Sequence, residues 1–205
     1  MAEDVSSRRR RLILWATSGW SITSVRMECR VVVRQTRRYA SRHDLPMGTQ
    51  AVTADDIDVS VVFWREEGLW QVSSIPARSA VSMDSLISAL SRFPGEGGVF
   101  GAVTVGDDFF LLVRESGQGR WILLSDGAAS WDWSLAEEAV DMLGLSDDDV
   151  EELEPAGDTR LLEDFGVKGE DLELLCSNED LYPDEQLTSI AERLGISAQW
   201  SRATR

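Results

Sequence analysis

The fold of this chain is decided by residues 93–126, which read FPGEGGVFGAVTVGDDFFLLVRESGQGRWILLSD. A glycine-rich turn is followed there by three strand-like runs, at 99–105, 109–114 and 120–126. A short turn of the Gly-Asp type joins the first two runs, and such a turn between β-rich segments indicates a hairpin. Because these two runs are apolar nearly throughout, they predict central strands of a sheet that is covered on at least one face.

Periodic segments flank this stretch on both sides. The segments predict strands at 58–64 and 69–75, a helix that opens near Ser82, a second helix at 131–145, and three short helices at 159–165, 170–176 and 184–194. The second helix should bury Leu135, Ala139, Met142 and Leu143. The order strand, strand, helix, three strands, helix predicts an α+β fold. We expect a five-stranded antiparallel sheet with helices packed on it, followed by a small C-terminal helical segment.

Charge is distributed unevenly along the 205 residues, whose formal net charge is −16. Residues 1–46 hold 10 Arg against 4 acids, whereas the rest of the chain holds 10 basic residues against 32 acids. A change from net positive to net negative charge indicates that the two parts of the chain have different roles. The predicted organisation is a basic N-terminal extension at 1–50, an α+β domain at 51–145, an acidic linker at 146–158, and a helical segment at 159–205.

The N-terminal extension lacks the patterning of a folded domain. We expect it to be disordered or non-native, with the native protein starting near Met47, where the charge reverses and regular patterning begins. Two alternatives stay open: a twin-arginine or secretory leader, and a basic arm that binds RNA. The intact mass of the endogenous protein distinguishes a late start from translation of the whole sequence.

Residue types needed for common catalytic sites are scarce. The only histidine is His43, which excludes most histidine-based triads and metal sites. The nucleobase deaminase signature needs His-x-Glu and Pro-Cys-x-x-Cys, and the sequence contains neither motif. Cys29 and Cys176 have no metal-ligand or disulfide spacing. The sequence therefore predicts no enzyme, no cofactor and no metal.

The net negative charge of residues 47–205 also restricts the class of partner. Direct nucleic-acid binding requires a basic face, so we expect none from the acidic residues after position 46. No apolar run approaches the roughly 20 residues of a membrane span. We therefore predict a cytoplasmic protein that binds other proteins.

Aromatic and acidic side chains at two predicted helix starts are candidates for partner binding. They are Trp131, Trp133, Tyr182, Asp184 and Glu185. Side chains at helix starts are often half exposed, and aromatic residues there can anchor a partner. The alternative is that these aromatic residues pack at the edge of the core.

Several segments, taken together over roughly residues 58–200, resemble one protein family. The segments are FPGEGG at 93–98, DDFFLLVR at 107–114, LLSD at 123–126, PAGD at 155–158, DLELLC at 171–176 and DLYPDE at 180–185. As a set they are similar to the actinobacterial tRNA adenosine deaminase-associated proteins. The resemblance implies association with the deaminase that makes inosine in the tRNA anticodon, and it supplies no catalytic residues.

The resemblance and the charge lead to one hypothesis with two alternatives. The hypothesis is a non-enzymatic acidic accessory protein that docks on the basic surface of a tRNA adenosine deaminase. One alternative is an interaction module unrelated to tRNA modification. The other is an enzyme that uses carboxylates near Asp126 and Asp132.

Overall fold

A six-stranded antiparallel sheet forms the centre of the protein in the computed structural model, which describes residues 48–95 and 97–205. The predictions made for residues 1–47, including the extension and the start near Met47, lie outside the described residues. The strands are β1 (Ile57–Glu66), β2 (Leu69–Ser74), β3 (Val99–Val105), β4 (Phe109–Ser116), β5 (Gly119–Leu124) and β6 (Ala156–Gly157). Their spatial order is β2-β1-β3-β4-β5-β6.

The predicted α+β class is confirmed, and the predicted count of five strands is wrong. The additional strand is β6, which pairs with Leu123 and Leu124 of β5. β6 is two residues long, which is too short to show the alternation of apolar and polar residues that predicts a strand, and it follows an acid-rich stretch. Long-range pairing with β5 is what makes it a strand.

Five α-helices lie in the described part of the chain: α1 (Met83–Leu90), α2 (Ser134–Leu143), α3 (Gly169–Cys176), α4 (Pro183–Arg193) and α5 (Ser197–Ala203). Ser82 caps α1, since its Oγ accepts from the Ser85 amide at 3.3 Å. The helix predicted at 131–145 begins later, because residues 127–131 form a 3-10 helix capped by Asp126. It ends at Gly144, whose φ of 72° suits glycine.

Both faces of the sheet are covered by helices. Alternate residues of the strands point to opposite faces. Val62, Val103 and Leu111 belong to the core under α1 and α2. Phe63 and Phe100 belong to the core that contains buried residues of α3, α4 and α5. Burial on two faces explains why the central strands are apolar nearly throughout.

The stretch predicted as an acidic linker, residues 146–158, is held by local hydrogen bonds, by a contact with the 3-10 helix at 127–131 and by pairing with the sheet. Asp149 Oδ2 accepts from the Ser146 amide at 2.9 Å, and Val150 is buried. The Gly127 amide donates to the Glu154 carbonyl at 2.8 Å, and β6 then joins the sheet. The acidic side chains of this stretch are therefore held on an ordered backbone.

None of the helices in residues 48–95 and 97–205 has the length and apolar character needed to cross a membrane.

Candidate interaction surface

Residues 126–158, called here the acidic segment, lie in the longest stretch of the described chain that has no basic residue. It contains twelve Asp and Glu residues and no Lys, Arg or His. Most of these carboxylates are exposed. Three large apolar side chains are also exposed in the segment: Trp131 (36%), Met142 (42%) and Leu153 (43%). Apolar side chains set among exposed carboxylates are a pattern typical of a protein-binding surface.

Asp126 organises the N-terminal part of the acidic segment. Its Oδ1 accepts from the Ala128 amide at 3.0 Å and from the Leu153 amide at 3.3 Å. The backbone at Gly127 approaches Val150 so closely that an added Cβ would lie 2.9 Å from the Val150 Cβ. These contacts hold the loop that carries Leu153 against the 3-10 helix that carries Trp131.

The two tryptophans at 131 and 133 have different surroundings. Trp133 is half-buried, packs against the core beneath α2, and donates from Nε1 to Asp108 Oδ2 at 3.0 Å. Gln50 fixes this turn, because its amide donates to the Asp132 carbonyl and its carbonyl accepts from the Ser134 amide. Trp133 is thus an anchor at the core edge, whereas Trp131 presents more of its ring to solvent.

The other predicted residues lie at the start of α4. The Tyr182 amide donates to Glu185 Oε2 at 3.0 Å, so Glu185 serves as a helix cap. Asp184 is exposed, and Tyr182 is half-buried. α4 packs on the face of the sheet opposite α2. The structure therefore does not bring Tyr182, Asp184 and Glu185 together with Trp131 and Trp133.

Exposed apolar residues that were not predicted from the sequence are Leu69, Met142, Leu153 and Leu174. Met142 was predicted to be buried, and Leu153 received no role. Leu174 is 73% exposed on α3, in a stretch from 170 to 185 that holds seven acids and no basic residue. A helical projection would have found Leu174, because the neighbouring Leu172 and Leu175 define the buried stripe of α3.

Comparison with known proteins gives the chain its family. Residues 58–197 match the model of the Rv3753c-like tRNA adenosine deaminase-associated protein family. The chain belongs to this family. It is 37% identical over 155 residues to Protein Rv3753c of Mycobacterium tuberculosis (strain ATCC 25618 / H37Rv), an alignment that covers 74% of this chain and 88% of that protein. No solved structure matches the chain.

In this member of the family, carboxylates of the acidic segment have structural roles. Asp126 caps a 3-10 helix, and Asp149 caps the turn that begins at Ser146. Hydrogen bonds from the Ser146 hydroxyl and amide lower the pKa of Asp149, and Thr53 lowers the pKa of Asp56 in the same way. A general acid at neutral pH needs the opposite shift. Within the described residues, no group of three or more His, Cys, Asp or Glu side chains could hold a metal ion.

Cys176 is buried at the end of α3. Burial, helped by the charges of Glu173 and Asp126, raises the pKa of its thiol from about 9.0 to about 12. The thiolate is the reactive form of cysteine, so this side chain is inert at neutral pH.

We expect Cys176 to react with a thiol reagent such as DTNB only when the protein unfolds. The measurement uses a Cys29→Ser variant, so that a single thiol remains. Rapid labelling of the native variant at pH 7 would contradict the buried placement.

The raised pKa of Cys176 also predicts a dependence of stability on pH. The folded protein keeps the thiol proton between pH 9 and 12, where the unfolded chain loses it, so the free energy of unfolding should fall as the pH rises through this range.

Proposed function

We propose that this protein is a non-enzymatic accessory protein that docks, through its acidic segment, on the basic surface of a tRNA adenosine deaminase. The observation that carries the proposal is the run of twelve carboxylates with no basic residue at 126–158. The family's description supplies the class of partner, and the charge supplies the mode of contact. The place of action that follows is the cytoplasm.

The basic surface in this proposal belongs to the deaminase. An enzyme that grips tRNA neutralises phosphates with Lys and Arg, so it carries a basic surface. An acidic segment of this size steers the two proteins together, and the resulting contact weakens as salt is added. A protein docked on that surface would compete with tRNA for the same basic residues.

Apolar anchors give the docking its specificity. Trp131, Met142 and Leu153 are exposed among the carboxylates. Tryptophan and tyrosine are enriched among the few interface residues that contribute most of the binding free energy. The bonds from Asp126 hold the 3-10 helix and the Leu153 loop in place, so less conformational freedom is lost on binding.

The absence of catalysis is part of the same proposal. Two side chains that could carry chemistry are used in the fold: Asp126 is a cap, and Cys176 is a buried thiol. We therefore assign the remaining exposed carboxylates of the acidic segment to docking rather than to proton transfer.

Charge reversal on the two faces of the sheet tests the docking site. The test variant is Asp141→Lys/Asp148→Lys/Glu152→Lys in the acidic segment. The matched control is Glu170→Lys/Glu179→Lys/Asp184→Lys, on α3, on the loop after α3 and on α4, and all six positions are exposed. Both variants change the net charge by the same amount, so they separate local docking from overall attraction.

We expect the test variant to lower the affinity for the purified deaminase by roughly a hundredfold and the control by less than about fivefold, measured by calorimetry at low salt. Equal losses would show that only the net charge matters. Unchanged affinity of the test variant would place the contact elsewhere. The lack of any complex with the unmodified protein at micromolar concentration would reject the proposed function.

A further inference from the structure

The edge of the sheet at β2 has backbone groups that pair with no other strand of the described residues. β2 pairs with β1 alone. The Ile75 amide donates to the Ser60 carbonyl, and this bond shows which residues of β2 direct their backbone groups towards β1. Residues 69, 71 and 73 therefore bond to β1, and Trp70, Val72 and Ser74 direct their amides and carbonyls away from the sheet. Within the described residues no backbone group bonds to these outward amides and carbonyls, and the Ser74 carbonyl accepts from the neighbouring Ser73 hydroxyl at 3.3 Å.

This edge lacks the features that usually prevent strand pairing. Its sequence, LWQVSS, contains no charged residue and no proline. Natural edge strands are commonly protected by Lys, Pro or a bulge. The strand is also uncharged on a body whose residues 47–205 hold 32 acids and 10 basic residues. Two copies of such a body can approach closely only where like charges do not meet.

We propose that β2 is a self-association edge, where two copies of this chain pair antiparallel to form one continuous sheet. The outward groups lie on three alternate residues, so a two-fold axis at Val72 pairs them completely. Val72 then faces Val72 of the second copy, and Trp70 faces Ser74 of the second copy. The same edge of each copy then supplies both the donors and the acceptors of the interface, as a two-fold symmetric dimer requires.

The ends of β2 add charge complementarity to this pairing. The turn at one end carries Glu66 and Glu67 beside Arg65, so its net charge is negative, and the segment beyond the other end carries Arg78. Antiparallel pairing brings the acidic end of each copy towards the Arg78 end of the other. α5 packs beside β2 on the face that holds Trp70 and Val72, and the outward groups point along the plane of the sheet.

The experiment is sedimentation equilibrium of the full chain, without deaminase, over a wide range of protein concentration. We expect a concentration-dependent mass that approaches twice that of one chain. Val72→Pro should be monomeric, because proline removes an outward amide and leaves the ladder to β1 intact. Val72→Thr keeps the amide and should still dimerise.

A second variant covers the case in which Val72→Pro does not fold. In the proposed register, residue 71 lies opposite residue 73 of the second copy, so Gln71→Asp/Ser73→Asp puts like charges opposite each other and should weaken the dimer at least tenfold. A monomeric unmodified chain at every concentration would overturn the proposal. The proposal would also be overturned if Val72→Pro and Gln71→Asp/Ser73→Asp fold and dimerise with the affinity of the unmodified chain. Because no deaminase is present, neither result bears on the proposed function.

Discussion

Arg114→Met should destabilise the protein by about 3 kcal/mol and loosen residues 159–176 from the sheet. Arg114 lies on β4 and is 9% exposed. Its Nη1 donates to the Leu161 carbonyl at 3.0 Å, and its Nη2 donates to the Gly97 carbonyl at 2.7 Å. The guanidinium also lies within 5.3 Å of the ring centres of Phe100, Trp121 and Phe165.

The expected loss comes from the carbonyls that Arg114 satisfies. Methionine keeps much of the apolar stem but has no donor, so the Leu161 carbonyl is left without the partner that it has in the interior. A buried polar group without a partner costs about 1–3 kcal/mol. The ion pair with Asp164 contributes much less, because the Asp164 side chain is 70% exposed.

Urea unfolding followed by tryptophan fluorescence measures this effect, and hydrogen exchange locates it. Faster exchange should appear first at residues 159–176. The matched control is Asp164→Asn, which removes only the exposed partner and should change stability by less than about 1 kcal/mol. If Asp164→Asn were as damaging as Arg114→Met, the ion pair rather than the carbonyl contacts would hold this segment.

Gly157→Ala should cost about 3 kcal/mol and separate β6 from β5. The φ angle of Gly157 is 109°, which is strained for any residue with a side chain. A Cβ at this position would overlap the carbonyl oxygen of Ile122, which accepts a hydrogen bond from the Asp158 amide. Backbone cannot move aside as a side chain can, so the two-residue strand must leave its place.

The same urea experiment tests this prediction, with hydrogen exchange at 150–158 as the local measure. The control is Gly117→Ala, because Gly117 has no heavy atom within 4 Å of an added Cβ and no positive φ. It should change stability by no more than about 1 kcal/mol. The acidic segment loses its C-terminal attachment in Gly157→Ala, so affinity for the deaminase should fall as well. Native stability of Gly157→Ala would show that β6 is not fixed as described.

The central hairpins could be predicted from sequence because their signals are local. The turn at 106–108 lies between apolar runs, and β3, β4 and β5 follow at the predicted places. β6 could not be predicted, since a two-residue strand depends on the distant pairing with Leu123 and Leu124. α5 was not predicted for a similar reason: Trp200 is its only buried residue, and it packs against Phe63 of β1.

The candidate surface was only partly predictable. Trp131 and Trp133 look alike in sequence, but only the structure shows that Trp133 Nε1 donates to Asp108. Met142 fits the apolar stripe of α2 and is nevertheless 42% exposed, because helical spacing does not reveal where the neighbouring layer ends. The charge of the acidic segment, in contrast, could be read directly from composition. The order of its backbone could not, because it depends on contacts with Asp126 and β5.

The most direct test of the account is the affinity of the unmodified protein for a purified tRNA adenosine deaminase, measured across a series of salt concentrations with and without tRNA. We predict a complex at low salt whose affinity falls by at least roughly tenfold between 50 and 200 mM salt, and which tRNA displaces. A complex that is insensitive to salt and forms equally well on the tRNA-bound enzyme would contradict docking through the acidic segment.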